Sequence, residues 1–271
     1  MAEIPRLPVP TWFVGCGNMG QAIVGGWRSA GIDLSAAVVI RPSGMPVTGV
    51  RTVTNLGDAG PPPRLVVLGF KPQKLDEIVP QLKTWITGRT TVVSLLAGVE
   101  VASLKQRFPG AGAIVRAMPN LPVSIRRGVV ALYGDDADEK TKMELSTLFA
   151  ALGFAPWMAD ESKFSAVGAV AGSGPAYVAR FIAALTKAGE DRGLSNEIAS
   201  TIAIETVLGT SWLAAADRES MDDIARRVAS PKGTTEAGLA VLDERLGALV
   251  DDTLDASAAR GRELAEAARL S

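Results

Sequence analysis

Between Trp12 and Ala22 the chain reads Trp-Phe-Val-Gly-Cys-Gly-Asn-Met-Gly-Gln-Ala. The short apolar run Trp12–Val14 suits a buried strand. It passes directly into Gly15-x-Gly17-x-x-Gly20, and helix-forming residues follow from Gln21. Strand, glycines and helix in that order form the arrangement in which this pattern binds a dinucleotide. Gly15 permits the tight turn, Gly17 lets the backbone approach a pyrophosphate, and Gly20 lets helix and strand pack closely. The unpaired amides at the helix start then face the phosphates. Gly15, Cys16, Gly17, Asn18, Met19 and Gly20 are therefore candidate cofactor residues. A glycine-rich turn without a ligand is the competing reading, and the strand-to-helix context favours the cofactor.

With 271 residues, 47% of them apolar, the chain is large and apolar enough for one big core or two modest ones. A net charge of −1 without a long basic run argues against a nucleic-acid or anionic-membrane surface. The single cysteine, Cys16, forms no internal disulfide, which suits a reducing compartment, and inside a glycine loop it reads as a small filler. The absence of histidine removes Ser-His-Asp hydrolysis, histidine general bases and most zinc sites, and no metal is expected. Met1–Pro10 lacks the apolar stretch of a signal peptide, and no uncharged apolar run reaches ~18 residues. The expectation is a cytoplasmic protein with no membrane span.

Downstream, Gln21–Ala30 is predicted as a helix ended by Gly31, and Ala37–Ile40 as the second strand. An NAD-binding fold places a carboxylate after that strand, roughly 20 residues past the glycines, to hold the ribose 2′-hydroxyl. This chain has Arg41-Pro42-Ser43 there. An arginine pairs with a 2′-phosphate and a serine hydrogen-bonds it, so NADP(H) is expected over NAD(H). A short strand at Val50–Val53 leads to Asn55, near the expected adenosine end. Leu65–Phe70 is a continuous apolar run, as in a parallel strand covered on both faces, and it delivers Lys71 to the ligand edge of the sheet. Helix at Lys74–Trp85, strand at Thr91–Leu96, helix at Val101–Phe108, and strands at Ala113–Ala117 and Gly128–Tyr133 complete the alternation. The fold class is α/β: a Rossmann-like, doubly wound, mostly parallel sheet over residues 1–160.

Residues 161–271 form a second, all-helical domain by composition. Ala176–Ala188 is apolar nearly all round, and Ile198–Ala216 is a second apolar helix. Helices without a polar face need to be surrounded, and about 110 residues cannot surround them alone, so a partner subunit is expected. Met221–Val228, Glu236–Leu246 and Ala248–Ala268 are the remaining predicted helices. Two stretches stand apart: Gly172-Ser173-Gly174-Pro175-Ala176-Tyr177 and Ser230-Pro231-Lys232-Gly233-Thr234-Thr235. The second opens a helix with hydroxyls, a glycine and a cation, which makes an anion site. An ordinary hydroxyl cap with an early proline explains it equally well on local grounds.

Taken together, these blocks resemble the pyrroline-5-carboxylate reductase family almost end to end. The resemblance is carried by the Gly15–Ala22 loop, Lys71-Pro72-Gln73, Ser94-x-x-Ala97-Gly98 and Arg116-x-Met118-Pro119-Asn120-x-Pro122. It continues through Gly172–Tyr177, Thr206-x-x-Gly209 and Ser230-Pro231-x-Gly233-Thr234-Thr235. It implies reduction of 1-pyrroline-5-carboxylate to L-proline with NAD(P)H, by an obligate homodimer, often built into larger rings, in which the helical domain of one subunit completes the other's site. It further implies that Ser230, Gly233, Thr234 and Thr235 hold the substrate carboxylate, with Thr235 as candidate proton donor. Gly15–Gly20, Arg41, Ser43, Asn55, Lys71 and Ala97 fall where the family binds its cofactor. The chain departs from the family at Lys232, commonly a second glycine, and at Ser165, Gly168 and Ala171, usually aspartate, threonine and serine.

A protein without histidine suits this chemistry, because a cyclic imine accepts hydride as an iminium and needs mainly positioning and a carboxylate clamp. Another NADP-dependent imine or β-hydroxyacid reductase is the alternative enzyme, but the hydroxyacid class places a lysine where this chain has Ser173, Pro175 and Tyr177. A non-catalytic NADP-binding sensor is the alternative outside enzymes, and the retained Ser230, Thr234 and Thr235 count against it.

Overall fold

Each strand of the first half alternates its side chains between two apolar faces, which a sheet can satisfy only with cover on both sides. In the computed structural model, which describes residues 4–270 and the side chains of all these except 264, 265 and 267–270, that cover is present. Residues 1–3 of the proline-bearing N-terminal stretch and residue 271 of the helical half lie outside the described residues.

The strands are β1 (Thr11–Val14), β2 (Ala37–Ile40), β3 (Arg51–Val53), β4 (Leu65–Leu68), β5 (Thr91–Ser94), β6 (Ala113–Pro119), β7 (Gly128–Tyr133) and β8 (Gly153–Phe154). They form one sheet in the order β3-β2-β1-β4-β5-β6-β7-β8. β1 through β6 are parallel, with Trp12 opposite Val38 on one side and Val66 on the other. The first six strands have the doubly wound dinucleotide-binding order, which reverses between β1 and β4. β7 runs antiparallel to β6, because only a short 3-10 turn (Leu121–Ile125) connects them and a parallel return needs a longer crossover.

One face is covered by α1 (Asn18–Ser29) and α4 (Glu139–Ala150), the other by α2 (Leu75–Leu82) and α3 (Val101–Arg107). Phe13, Val39 and Val67 point into the first core with Ile23, Trp27 and Phe149. Trp12, Val14, Val66 and Leu68 point into the second with Leu82, Leu104 and Phe108. Trp27 packs against Phe13 and Phe149 at centroid distances of 5.9 and 5.5 Å, and its indole N–H donates to the Leu148 carbonyl at 3.0 Å. α4 and β8 have no counterpart in the elements expected above.

The helical half contains α5 (Phe164–Val167), a π-helical turn (Gly168–Gly172), α6 (Gly174–Glu190), α7 (Asn196–Asp217), α8 (Met221–Val228) and α9 (Thr234–Leu270). α9 corrects the expectation of two helices. Gly247 does not interrupt it, since one interior glycine costs about 1 kcal/mol and breaks no hydrogen bond. By compactness the chain forms two units, one of residues through 173 together with those from 257, the other of residues 174–256.

Within the second unit, α6 and α7 pack so closely that a Cβ on Gly189 would lie 3.1 Å from that of Ala199. Only Ala199 and Ala203 of α7 are buried, while Ile198, Ile202, Leu208 and Trp212 are about half exposed. α7 also modifies the expectation about membranes: by length and composition it is apolar enough to cross one, although Glu205 interrupts its apolar run.

Candidate functional site

The point where strand order reverses opens a cleft between the loops after β1 and β4, of the kind in which ligands sit in such sheets. Its volume is about 440 Å³, and its lining includes Gly15–Gly20, Arg41, Pro42, Ser43, Gly69, Phe70, Lys71 and Leu95.

Gly15 has φ +74°, and a Cβ there would fall 2.9 Å from both the Gly69 carbonyl oxygen and the Phe70 Cβ. The β1 and β4 loops touch backbone to backbone at this residue, so the position is closed to side chains. Gly17 differs. Its backbone is extended (φ −74°, ψ −162°), and a Cβ would meet nothing within 4 Å. That open volume lies beside the start of α1, which begins at Asn18, three residues earlier than the helical character of the sequence indicates. No side chain caps this helix end, and its first turn carries no acidic residue. Its first amides and dipole are thus available to an anion. A Cβ on Gly20 would lie 3.0 Å from the Cys16 sulfur, so this glycine makes room for the loop's own thiol rather than for the strand expected above. Burial pushes the Cys16 thiol up from 9.0 to about 11, against the opposing pull of the Arg41 charge. At neutral pH the group is an uncharged filler.

Arg41 leaves β2 with its amide bonded to the Val53 carbonyl at 2.9 Å. Its Nε donates to the Ser43 hydroxyl at 3.0 Å. Among the described residues its two terminal nitrogens have no partner, so they are free for a phosphate. Lys71 is exposed at the end of β4 on the same cleft. Asn55 and Ala97 are not among the lining residues. Asn55 caps a 3-10 turn, accepting from the Asp58 amide at 3.1 Å and donating to the Asp58 carboxylate at 2.6 Å. Leu95, Gly69 and Phe70 line the cleft without having been singled out from the sequence. Their signal was position, directly beyond β5 and β4.

In the second unit, Ser230–Gly233 is a hydrogen-bonded turn, the Gly233 amide donating to the Ser230 carbonyl at 2.9 Å. Pro231 occupies its second position and Lys232, at φ +58°, its third, which is the pattern of a type II turn. The Lys232 amide donates to the Glu236 carboxylate at 2.6 Å. α9 starts immediately afterwards at Thr234, so Ser230, Thr234 and Thr235 surround one helix start. In the first unit, the buried Asn120 accepts from the Val129 amide at 2.8 Å and donates to the Ala171 carbonyl at 3.0 Å. It thereby fixes the π-helical turn that contains two of the departures noted above, Gly168 and Ala171. Ser165, another of the four, is exposed.

Comparison with known proteins agrees with this geometry. Residues 161–264 match the family description "Pyrroline-5-carboxylate reductase dimerisation". The pyrroline-5-carboxylate reductase of Pseudomonas aeruginosa is 34% identical over 262 residues, covering 94% of this chain and 96% of that protein. The enzyme of that name from Pisum sativum is 31% identical, covering 93% and 94%. The solved structure of a pyrroline-5-carboxylate reductase from Coxiella burnetii superposes with a TM-score of 0.87 at 31% identity, over 95% of this chain and 99% of that one. The Plasmodium falciparum pyrroline carboxylate reductase, solved with NADP bound, shares the fold at a TM-score of 0.84 and 22% identity, over 95% and 98%. With likeness of this extent running through both the glycine-loop half and the helical half, the chain belongs to the pyrroline-5-carboxylate reductase family.

Proposed function

We infer that the chain reduces the C=N bond of 1-pyrroline-5-carboxylate to give L-proline, the reaction of its family. The observation that carries this reading is that the dimerisation match, residues 161–264, contains the whole Ser230–Thr235 turn; the switch-point cleft lined by Gly15–Gly20 supports a dinucleotide. The cofactor is a nicotinamide dinucleotide. Gly17 and the uncapped start of α1 suit its pyrophosphate, and Arg41 with Ser43 suits a 2′-phosphate, so NADPH is the preferred form. The reduced nicotinamide, when bound, supplies the hydride.

The helix start at Thr234 presents amides, hydroxyls and a positive dipole end to the substrate carboxylate, with Ser230, Gly233, Thr234 and Thr235 as the clamp. Lys71 and Arg41 hold anionic charge at the cleft, and Asn55 and Ala97, which do not line it, are assigned to the cofactor on the family resemblance alone. The imine nitrogen takes up a proton, leaving an iminium carbon ready for hydride, and the Thr235 hydroxyl or a water beside it is the donor. Positioning does most of the work, as a site without histidine requires.

We assign residues 1–160 to cofactor binding and 161–271 to dimerisation and substrate binding. Homodimerisation covers the half-exposed apolar residues of α6 and α7, in preference to a lipid environment, and a ring of dimers is the larger assembly. The cytoplasm is the assigned compartment.

The test compares 1-pyrroline-5-carboxylate with the same ring lacking its carboxylate. Wild type should strongly prefer the acid. Thr235→Ala removes one hydrogen bond to a charged group, ~1.5–3 kcal/mol, so kcat/KM for the acid should fall roughly 10- to 150-fold and the preference should narrow. Equal rates on both rings in wild type would show that no carboxylate clamp exists.

A further inference from the structure

One partly buried ion pair is left unexplained by the cofactor and substrate sites. Arg116 on β6 is 7% exposed, and its Nη1 donates to Glu161 Oε1 at 2.6 Å. Its guanidinium also lies over the Phe164 ring, 4.7 Å from the centroid. The same Glu161 oxygen accepts the Val101 amide at 2.9 Å, across 60 residues of chain. Val101 is the first residue of α3. Its amide is one of the four orphan donors of a helix start, and the residue in the local capping position, Glu100, contributes no side-chain cap. The end of α3 that follows the β5 loop is thus capped by a residue remote in sequence, which is itself anchored to the neighbouring strand.

That loop is short. It leaves β5 at Ser94, passes Leu95, which lines the cofactor cleft, then Ala97 and Gly98 at φ +76°, and enters α3 at Val101. Its β5 end is fixed by the Leu95 amide bonded to the Leu68 carbonyl at 3.0 Å. Glu161 fixes its α3 end. With both ends held, the position of the loop at the cleft is determined.

We propose that Glu161 is a positioning residue for the cofactor cleft: its carboxylate locks the start of α3 to Arg116 and so sets the β5–α3 loop against which the cofactor binds. A carboxylate suits this place best because its oxygen accepts the Val101 amide and its charge neutralises the buried Arg116. This inference rests on the cofactor reading of the cleft. It goes beyond that reading in assigning cofactor affinity to a residue that does not line the cleft.

The experiment measures KM for NADPH, KM for 1-pyrroline-5-carboxylate and kcat in the full-length protein. Glu161→Ala should raise KM for NADPH roughly 3- to 30-fold, a range typical of residues acting through another element. The imine KM and kcat at saturating NADPH should stay within about twofold. Glu161→Gln, whose amide oxygen still accepts from Val101, should recover part of the loss. If the stranded Arg116 charge prevents Glu161→Ala from folding, the double variant Arg116→Met, Glu161→Ala removes that charge, and it should show the same rise because α3 remains uncapped. Both KM values rising together, or neither changing while thermal stability falls, would overturn the proposal and leave Glu161 a purely structural residue. Failure of wild type to bind NADPH would overturn the cofactor reading itself, and the proposal with it.

Discussion

Gly17→Ala separates the ligand reading of the glycine loop from the steric one. At φ −74°, ψ −162° alanine is unstrained, and its Cβ would meet no heavy atom within 4 Å. Reduced freedom of the unfolded chain stabilises such a replacement by about 0.4–1 kcal/mol. Loss of a favourable capping glycine offsets this by a similar amount. Net stability should therefore move by less than about 1 kcal/mol, or about 4 °C in Tm. Cofactor binding should respond quite differently. The new methyl group occupies the space through which a pyrophosphate approaches the α1 amides, and losing one charge-assisted bond of ~1.5–3 kcal/mol weakens NADPH binding roughly 10- to 150-fold. Gly15→Ala is the control. A left-handed φ of +74° costs alanine about 1–2 kcal/mol, and overlap with Gly69 and Phe70 at 2.9 Å adds about 1–3 kcal/mol of overpacking. Urea unfolding and fluorescence titration with NADPH measure the two quantities. Undiminished NADPH affinity in a stable Gly17→Ala protein would refute the argument, because the open volume beside Gly17 would then have no ligand to admit.

Three further outcomes are expected. Arg41→Ala should raise KM for NADPH roughly 10- to 150-fold, the worth of a hydrogen bond between charged groups, and leave KM for NADH nearly unchanged; equal effects in steady-state kinetics would remove the 2′-phosphate assignment. Between pH 9 and about 11 the folded Cys16 thiol keeps a proton that the unfolded one has lost, so it should make stability fall as pH rises through that window. Urea midpoints of Cys16→Ala should fall less steeply there than those of wild type. Light scattering should find no folded, active monomer at nanomolar concentration, because α6 and α7 leave their apolar residues uncovered within the chain.

The parts of the fold legible in the sequence are those fixed by local pattern. β2, β7 and α8 have the bounds expected of them, since in each a uniform apolar or amphipathic run ends at a clear change of residue type. α4 carries no strong apolar pattern, because its surface is densely charged and its core residues are few. Its signals were Asp138, which caps the Thr141 amide at 2.7 Å, and the helical spacing of Leu145, Leu148 and Phe149. β8 has two residues and exists only by pairing with β7, a long-range register that no local pattern encodes. In the cleft, polar residues such as Arg41 and Lys71 were recognisable by their place after a strand. Asn55 had the same credentials, yet its side chain is engaged by Asp58. Leu95 and Phe70 carry no polar group that would mark them, and only the sheet order brings them to the same cleft.

The departure at Lys232 shows how far backbone geometry explains a residue that pattern alone leaves puzzling. The family resemblance leads to glycine at 232 as well as at 233, and the two positions carry different requirements here. At 232 the requirement is conformational: φ is +58°, a region a lysine occupies at a cost of about 1–2 kcal/mol. The bond from its amide to the Glu236 carboxylate helps to hold the turn despite that cost. At 233 the requirement is steric, since a Cβ would collide with the Ser230 hydroxyl and lie 2.9 Å from the Ser230 carbonyl oxygen. A side chain at 233 would displace the serine assigned to the carboxylate clamp, whereas one at 232 adds strain and leaves that serine in place. Lysine thus stands where backbone strain is the only penalty, and glycine where a side chain would displace Ser230.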